Sequence, residues 1–350
     1  MTEAAPELLA VTTDDGVRLA TDHYRTGPDG SALGTVLIRT PYGRGGCSGQ
    51  ARAWLRAGYS VLVQDVRGRY DSEGDWEPYD SEGSDGAAVV HRLADHGVLS
   101  GPLILAGASY DAHCAVECAR ALEAARTMNG QRAVTPFAVL AMVPALGLYE
   151  TAHAPDGRPR LLDRIGWWHQ HGFAGESRPP LAKTELRRRH LLARSSGMEW
   201  VRESLVKDSE YGSGSAAKWR RLWEAPPLDL TARYGNLTSP LLVISGNEDF
   251  FTAEALSLAE AWGSTATGTR VETLWGPWGH RLSNDLNAET AVAFRREGGL
   301  MARIEAFLAG VASTAPDNSR TAWLWGQSPV HPTWAWWPTT TEHLRRHGEP

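Results

Sequence analysis

Three side chains that lie far apart in the sequence could together activate a nucleophile: Ser109, Asp249 and His280. A serine hydroxyl is a poor nucleophile at neutral pH, so it needs a histidine to take its proton. That histidine in turn needs a carboxylate to hold its tautomer and orientation. Each of the three residues follows an apolar run that predicts a buried strand. Because sites in open α/β sheets lie at the carboxyl ends of the strands, the sequence predicts a Ser-His-Asp triad and nucleophilic catalysis.

The serine belongs to a predicted strand, turn and helix. Residues 103–106 form a continuous apolar run, residues 107–111 interrupt it, and helical periodicity begins at Ala112. This order is typical of a nucleophile elbow, in which the strained serine needs small residues two positions before it and two positions after it. Gly107 meets this requirement, whereas Asp111 does not.

The predicted acid and base follow two later strands. The apolar run 240–245 leads to Glu248 and Asp249, and the run 271–275 leads to His280. Either carboxylate could orient the histidine. We favour Asp249 because it lies further from the strand and precedes a predicted helix. The order serine, acid, histidine is the chain order of α/β-hydrolases.

The remaining pattern predicts an α/β-hydrolase fold. Alternating segments around a turn at residues 14–16 predict an N-terminal antiparallel hairpin. From residue 35 onward, strands and helices alternate, which is typical of a mainly parallel sheet. A polar, basic and tryptophan-bearing stretch then interrupts this rhythm, so we predict a helical cap insertion there. The predicted units are a first core part (1–146), the cap (147–235), a second core part (236–312) and a Trp-rich tail (313–350).

Four short motifs lie along the predicted core: R-T-P-Y at 39–42, D-V-R-G-R-Y-D-S-E-G at 65–74, G-A-S-Y at 107–110 and G-P-W-G-H at 276–280. Together they resemble the cocaine esterase and X-prolyl dipeptidyl-peptidase family of serine hydrolases, over about residues 8–145 and 238–310. The resemblance implies cleavage of an ester or amide through an acyl-enzyme on Ser109. It also implies that the Tyr42 hydroxyl and the Tyr110 backbone N–H bind the oxyanion. The second motif is mainly architectural in this family, so we leave its charges out of catalysis.

Position 111 departs from the family pattern, which has an apolar residue and then glycine after the motif serine and tyrosine. This chain has Asp111 and Ala112 there. The carboxylate could cap the helix, where it would be worth roughly 0.3–1 kcal/mol. Alternatively, Asp111 could face the pocket and tune His280 or bind a cationic substrate.

The sequence after residue 312 is a second departure, because family members normally continue into a jelly-roll domain that helps to wall the pocket. Here we expect the sheet to end with residues 271–275 and the core to close with one helix over 288–308. The tail carries five tryptophans, Trp323, Trp325, Trp334, Trp336 and Trp337. It could pack over the core, seal the pocket or form a dimer contact. Without a jelly roll, the acyl site should be more open.

The pocket should lie between the carboxyl edge of the sheet and the cap. Trp167, Trp168 and Phe173 are candidate lining residues for a bulky acyl group, although a buried cap core would use the same residues. The preferred function is a serine hydrolase that cleaves a small ester or amide. An acyltransferase or cyclase of specialised metabolism could use the same triad. A non-catalytic binding protein is a third possibility, and the intact triad argues against it.

The composition disfavours several classes of partner. Charged residues make up 22% of the chain and the formal net charge is −6, so no basic surface favours nucleic acid or anionic membranes. The sequence has neither a signal-peptide pattern nor a membrane-length apolar run, and we expect a cytoplasmic protein. Its three cysteines, Cys47, Cys114 and Cys118, lie at no metal-binding spacing. We expect no metal and no cofactor, a small-molecule partner, and leave homodimerisation open.

Overall fold

The alternating apolar runs of the chain form one ten-stranded β-sheet. The computed structural model describes residues 5–26, 31–129, 134–314, 318–326 and 333–337. The strands are β1 (Glu7–Thr12), β2 (Arg18–Tyr24), β3 (Thr35–Thr40), β4 (Ser60–Asp65), β5 (Leu103–Ala108), β6 (Ala138–Met142), β7 (Leu241–Gly246), β8 (Val271–Gly276), β9 (Arg320–Trp325) and β10 (Trp334–Trp337).

The sheet is parallel through most of its width. Its order is β1-β2-β4-β3-β5-β6-β7-β8-β9-β10, and each neighbouring pair from β4 across to β9 is parallel. The predicted hairpin of β1 and β2 joins the edge of β4 antiparallel. Every residue of β3, β4 and β7 is buried, as expected for strands that helices cover on both faces. The predicted mainly parallel sheet with an N-terminal hairpin is therefore confirmed.

Helices cover both faces of this sheet. They are α1 (Ser48–Arg56), α2 (Glu82–Asp95), α3 (Tyr110–Asn129), α4 (Leu148–Ala152), α5 (Leu161–Trp167), α6 (Lys183–Ser204), α7 (Asp208–Tyr211), α8 (Ser215–Glu224), α9 (Leu230–Tyr234), α10 (Thr252–Ala261), α11 (Ala288–Arg296) and α12 (Gly299–Ser313). Apolar side chains of α2, α3 and α10 pack on one face, and those of α1, α11 and α12 pack on the other.

The prediction of one closing helix over 288–308 is wrong. Gly298 and Gly299 have φ angles of 82° and 64°, in the left-handed region that favours glycine, and they separate α11 from α12. The two helices can therefore follow different directions over the same face of the sheet.

Helices α4 to α9 form a segment of their own between β6 and β7. We refer to residues 147–235 as the helical segment. A π-helical turn, Trp168–Gly172, extends α5, and α6 is kinked at Gly197. The segment buries its own apolar cluster, in which the rings of Trp168 and Trp219 are fully enclosed. The unit boundaries that we drew from the sequence stay predictions.

The tryptophan-rich tail contributes two strands that the sequence analysis missed. β9 extends the sheet in parallel beyond β8, and β10 pairs antiparallel with β9. Trp325 and Trp334 pack against Phe294 of α11, with ring centroids 5.0 and 6.0 Å from the phenyl ring. The expectation that the sheet ends at residue 275 is thus wrong. The rest of the tail, residues 315–317, 327–332 and 338–350, lies outside the described residues.

The described residues were also searched for membrane-spanning helices and for metal-binding clusters. In the described ranges, no helix combines the length and the apolar character needed to cross a bilayer. The same residues contain no group of three or more histidine, cysteine, aspartate or glutamate side chains that could hold a metal ion. The three cysteines are unpaired thiols inside the core.

Candidate active site

Ser109 lies at a sharp turn between β5 and α3. Its φ angle is 58°, which is a strained value for a residue with a side chain. The turn brings strand and helix so close that a Cβ atom on Gly107 would lie 2.2 Å from the carbonyl group of Asp111. Only glycine fits that contact, as the elbow prediction required. The small residue that we expected at position 111 is not needed, because the contact there is made by its backbone.

The predicted acid and base meet at the Ser109 hydroxyl. Nε2 of His280 lies 2.9 Å from Oγ of Ser109, and Nδ1 of His280 lies 2.8 Å from Oδ1 of Asp249. The other carboxylate oxygen of Asp249 accepts a hydrogen bond of 3.3 Å from the Ser245 hydroxyl. The structure therefore joins the three residues in one hydrogen-bonded chain.

The structure also separates the two carboxylates between which the sequence left a choice. Asp249 is 5% exposed and contacts the histidine, whereas Glu248 is exposed to solvent. The Asp249 amide donates to the Gly246 carbonyl in a tight turn at the end of β7. This turn directs the aspartate inward and the preceding glutamate outward.

Trp278 fixes the loop that carries His280. Its ring is fully buried, and its indole N–H donates to the Ser245 carbonyl at 2.9 Å. A Cβ atom on Gly246 or on Gly276 would lie within 2.4 Å of Trp278 atoms, so both strand ends need glycine to admit this residue. The histidine itself stacks on the Phe250 ring, with centroids 4.3 Å apart.

The two residues that the family resemblance assigned to the oxyanion also lie at this site. Tyr42 follows β3, and its hydroxyl lies beside Ser109 and accepts a 3.1 Å hydrogen bond from the Trp167 indole N–H. Burial raises the pKa of the Tyr42 phenol, so the group stays protonated and can donate. Tyr110 is the first residue of α3, where a backbone N–H has no acceptor within the helix.

The side chain of Tyr110 points away from the cavity and anchors the elbow from beneath. Its hydroxyl donates to the Glu82 carboxylate and accepts a 2.7 Å hydrogen bond from the Tyr79 amide. Burial raises the pKa of Glu82 to about 7, and the bond from Tyr110 opposes that shift. Nothing in the sequence indicated this buried network, because Glu82 lies 27 residues before Ser109, at the start of α2.

The second family motif holds the Tyr42 loop, as the resemblance implied. Arg69 is fully buried and donates to the Pro41 carbonyl at 2.7 Å and to the Ala174 carbonyl. Its guanidinium thus ties the loop after β3 to the helical segment. Asp65 pairs with Arg44 beside the same loop.

A cavity of about 430 Å³ opens above Ser109 and His280. Both the ends of the strands and the helical segment contribute to its wall. The lining residues are Tyr42, Tyr79, Ser109, Ala145, Asp163, Arg164, Trp167, Gln170, His171, Phe250, Phe251 and His280.

Of the three aromatic residues predicted to line the pocket, only Trp167 does so. Trp168 is 1% exposed and packs against Trp219 and Phe173 inside the helical segment. Phe173 contacts Tyr211 in the same cluster, with ring centroids 4.6 Å apart. Consecutive residues of a helix point about 100° apart, and here Trp167 faces the cavity while Trp168 faces the interior of the helical segment. The expectation that Trp168 and Phe173 line the pocket does not agree with this packing: Trp168 is buried inside the apolar cluster of the helical segment, and Phe173 packs against that cluster while only partly buried.

Asp111 does not line the cavity either. It is 5% exposed in the first turn of α3, and its Oδ1 has no hydrogen-bond partner among the described residues. Burial raises its pKa to about 8, and the nearby Thr40 hydroxyl offsets part of that shift. Because Asp111 is not among the residues that line the cavity, the structure gives no support to the expectation that it binds substrate. The carboxylate that contacts His280 belongs to Asp249.

Several lining residues were missed by the sequence analysis. Phe250 and Phe251 directly follow Asp249, and this adjacency to the acid was the available signal. Arg164 lies one helical turn before Trp168, but sequence periodicity alone does not show which face of a short helix meets the sheet.

Solved structures confirm the class of fold. An aminopeptidase from the marine sediment archaeon Thaumarchaeota archaeon superposes with a TM-score of 0.61 and 18% identity, covering 96% of this chain and 58% of that one. An α-amino acid ester hydrolase superposes with a TM-score of 0.60 and 15% identity, covering 97% and 60%. With the parallel sheet and the elbow between β5 and α3, these likenesses define an α/β-hydrolase fold.

The sequence comparison is more specific. The pattern of the X-Pro dipeptidyl-peptidase (S15) family matches residues 15–281, more than half of the chain. The chain belongs to this family, and the resemblance carried by the four motifs is confirmed. The cocaine esterase of Rhodococcus sp. (strain MB1 Bresler) is 26% identical over 311 residues, covering 80% of this chain and 50% of that protein. The chain thus spans about half the length of this curated relative.

Proposed function

We propose that the protein is a serine hydrolase that cleaves an ester or amide of a small organic molecule through an acyl-enzyme on Ser109. The observation that carries the proposal is the hydrogen-bonded chain from Ser109 through His280 to Asp249. Membership of the X-Pro dipeptidyl-peptidase family and the likeness to a cocaine esterase support hydrolysis of this kind.

In the first half of the reaction, His280 acts as a general base at Nε2. It takes the proton of Ser109 as Oγ attacks the substrate carbonyl carbon. The carbonyl π electrons move to oxygen and give a tetrahedral oxyanion. His280 then returns the proton to the leaving alcohol or amine, the bond to that group breaks, and the acyl group remains on Ser109. Asp249 stabilises the imidazolium that forms between the two proton transfers.

In the second half, a water molecule takes the place of the leaving group. His280 removes a proton from the water, and the resulting oxygen nucleophile attacks the acyl carbon. The bond to Oγ then breaks with return of the proton to Ser109, which releases a carboxylic acid and regenerates the enzyme.

Two donors stabilise the oxyanion in this proposal: the Tyr42 hydroxyl and the Tyr110 backbone N–H. The indole N–H of Trp167 donates to the Tyr42 oxygen, which leaves the phenol proton free to be donated toward the oxyanion. Fixed donors of this type lower the barrier because they need no reorientation as charge develops.

The proposed substrate is a small molecule because the cavity of about 430 Å³ has the size of a small-molecule site. We further propose that the helical segment acts as a cap, since Arg164, Trp167 and His171 form the wall opposite the sheet edge. Exclusion of bulk water by such a wall would strengthen the electrostatic interactions with the oxyanion.

The test uses p-nitrophenyl esters of increasing acyl length, with Ser109→Ala as the control. We expect a burst of p-nitrophenolate followed by slower turnover in the wild type, and neither in the variant. A fluorophosphonate probe should label the wild type at Ser109. Absence of labelling together with absence of turnover would contradict the proposal and favour a binding protein. Ester or amide products formed with added alcohols or amines would instead indicate acyl transfer.

A further inference from the structure

Arg164 is a buried cation that faces the cavity of Ser109. It lies on α5, its residue exposure is 5%, and its side chain forms part of the cavity wall. Its Nε atom is buried without a hydrogen-bond partner. Among the described residues, no carboxylate oxygen lies within ion-pairing distance of its guanidinium. The site therefore contains a positive charge that the protein itself leaves unpaired.

Arg160, which directly precedes α5, provides a comparison with an arginine that is paired within the protein. Its Nη2 atom pairs with Oε1 of Glu254 at 2.8 Å, and it does not line the cavity. Both guanidinium groups flank the ring of Phe251, at 5.0 Å for Arg160 and 5.9 Å for Arg164. Two arginines share an aromatic neighbour, and only the one outside the cavity has its counter-ion.

Three other ionisable groups of the described lining, Tyr79, His171 and Asp163, form no ion pair with Arg164. Burial raises the pKa of the Tyr79 phenol, which therefore stays uncharged. Burial, with a contribution from the charge of Arg69, lowers the pKa of His171 to about 4, so this ring is neutral at pH 7. Asp163 is exposed to solvent and forms no ion pair with Arg164, so its carboxylate favours the charged guanidinium only from a distance.

An unpaired guanidinium in such a place is costly unless something compensates it. Burial lowers the pKa of Arg164, but an arginine side chain keeps its proton in proteins. Contact with the rings of Trp167 and Phe251, each 5.9 Å away, offsets only part of the lost hydration. A carboxylate is the group whose geometry matches the planar fork of donors, and its binding would restore the missing hydrogen bonds.

We infer that the substrate carries a carboxylate, which Arg164 binds while Ser109 attacks the ester or amide carbonyl. This inference rests on the proposed serine hydrolase function and specifies its substrate class. The carboxylate could belong to the acyl group, as in a half-ester of a dicarboxylic acid. It could equally belong to the leaving group, as in an acylated hydroxy acid or amino acid.

The experiment compares acids with uncharged amides of nearly the same size, in two arms. For the acyl side, the pair is mono-p-nitrophenyl adipate and the corresponding adipamate. For the leaving-group side, the pair is p-(butyryloxy)benzoate and p-(butyryloxy)benzamide. Rates are corrected for spontaneous hydrolysis. We expect kcat/KM for the acid to exceed that for the amide by about 10- to 100-fold in one arm, the range of a charge-assisted hydrogen bond. The arm that shows the preference identifies the side that carries the carboxylate.

Two variants locate the preference. Arg164→Gln should bring the acid-to-amide ratio close to one, and Arg164→Lys, which keeps the charge but loses the fork, should leave an intermediate ratio. Arg160→Gln is the matched control and should keep the wild-type ratio. The Lys variant provides the measurement if the Gln variant does not fold.

The outcomes separate this inference from the function on which it rests. Turnover of the amides with no preference for either acid in the wild type would overturn the carboxylate inference and leave the hydrolase intact. A preference that persists in Arg164→Gln would also overturn it. Absence of turnover with all four esters, together with no fluorophosphonate labelling at Ser109, would remove the proposed function itself.

Discussion

The carboxyl edge of the sheet and the helical segment form opposite walls of one cavity, but they place their residues in different ways. At the sheet edge, Ser109, Asp249 and His280 each follow the end of a strand. Parallel strands end at the same edge, so three distant positions converge there. In the helical segment, Arg164 and Trp167 face the cavity only because of the rotation of one short helix.

This difference decides how a substitution acts. A residue at a strand end is held by the sheet, and its replacement should change chemistry more than stability. A large residue of the helical segment either enters the cavity or enters the core of the segment. Its replacement should accordingly change substrate preference or stability, depending on which side it faces.

The largest effect should come from the acid at the sheet edge. Asp249→Asn should lower kcat by about 10⁴-fold, because the amide no longer stabilises the histidine in the tautomer that accepts the serine proton. Glu248→Gln is the matched control, and it should keep kcat because Glu248 points to solvent. Steady-state kinetics with a p-nitrophenyl ester measure both. The reverse result, with Glu248→Gln inactive, would show that the wrong carboxylate had been assigned.

The second effect concerns the adjacent tryptophans of the helical segment. Trp168→Ala should lower the free energy of unfolding by about 3–5 kcal/mol, because it leaves a cavity in a closed apolar cluster. Trp167→Ala should cost ~1–2 kcal/mol, since that ring is only partly buried, and should raise KM for bulky substrates. Urea denaturation measures the first quantity and ester kinetics the second. Equal losses of stability would break the contrast between the two faces of α5.

The third effect concerns Tyr42, whose hydroxyl accepts a hydrogen bond from Trp167 and so joins the sheet edge to the helical segment. Tyr42→Phe should lower kcat by about 10²–10³-fold through loss of one oxyanion donor, with a much smaller change in KM. Tyr59→Phe removes a hydroxyl from a tyrosine that packs against Trp54 away from the cavity, and should leave kcat unchanged. A Tyr42→Phe variant with full kcat would mean that the oxyanion is bound by other groups.

The smallest effect concerns the carboxyl beneath the elbow. The pKa of Asp111 is raised from about 3.8 to about 8, so between these values the folded state binds more protons than the unfolded state. Stability should therefore fall as pH rises from 4 to 8. Asp111→Asn cannot ionise, and its loss of unfolding free energy between pH 5 and pH 8 should be smaller than that of the wild type by about 1 kcal/mol or more.

The control for this measurement is Asp75→Asn, which changes an exposed aspartate and should keep the wild-type pH dependence. Urea titrations at the two pH values are sufficient. If Asp111→Asn and the wild type lost the same stability between pH 5 and pH 8, Asp111 would be ionised in the folded protein.

The sequence predicted the sheet edge well because its signals are local and its geometry is general. Each signal lies directly beside an apolar run: a glycine before the serine, a carboxylate after β7 and a histidine after β8. The same reasoning could not choose firmly between Glu248 and Asp249. That choice depends on a hydrogen bond within the turn, which the structure shows and the sequence pattern does not.

The sequence predicted that a helical segment exists between β6 and β7, but it predicted only in part which residues of that segment contact the cavity. The sequence of this segment contains helical patterns and no strand patterns, so helices could be predicted there. Which face of each helix meets the cavity depends on tertiary packing, which the pattern does not show. The pair Trp167 and Trp168 shows the consequence, since the two residues have the same chemistry and opposite environments. The strands β9 and β10 were missed for a related reason. Their tryptophans gave a signal of composition, while β9 pairs with β8, more than forty residues earlier, and β10 pairs only with β9.

The packing of Trp278 connects the loop of His280 to residues that are synthesised after it. Its ring contacts Phe294 at 5.4 Å and Trp334 at 6.3 Å between centroids. When His280 has just left the ribosome, the nascent chain exposes Ser109, Asp249 and His280. The rings of Phe294 and Trp334, which pack on Trp278 in the folded protein, have not yet left it. The hydrogen bond from Trp278 to Ser245 could then form, but part of the packing around the loop of the histidine would still be missing. The packing around this loop would thus be completed only once β10 has been made, and not with the histidine itself.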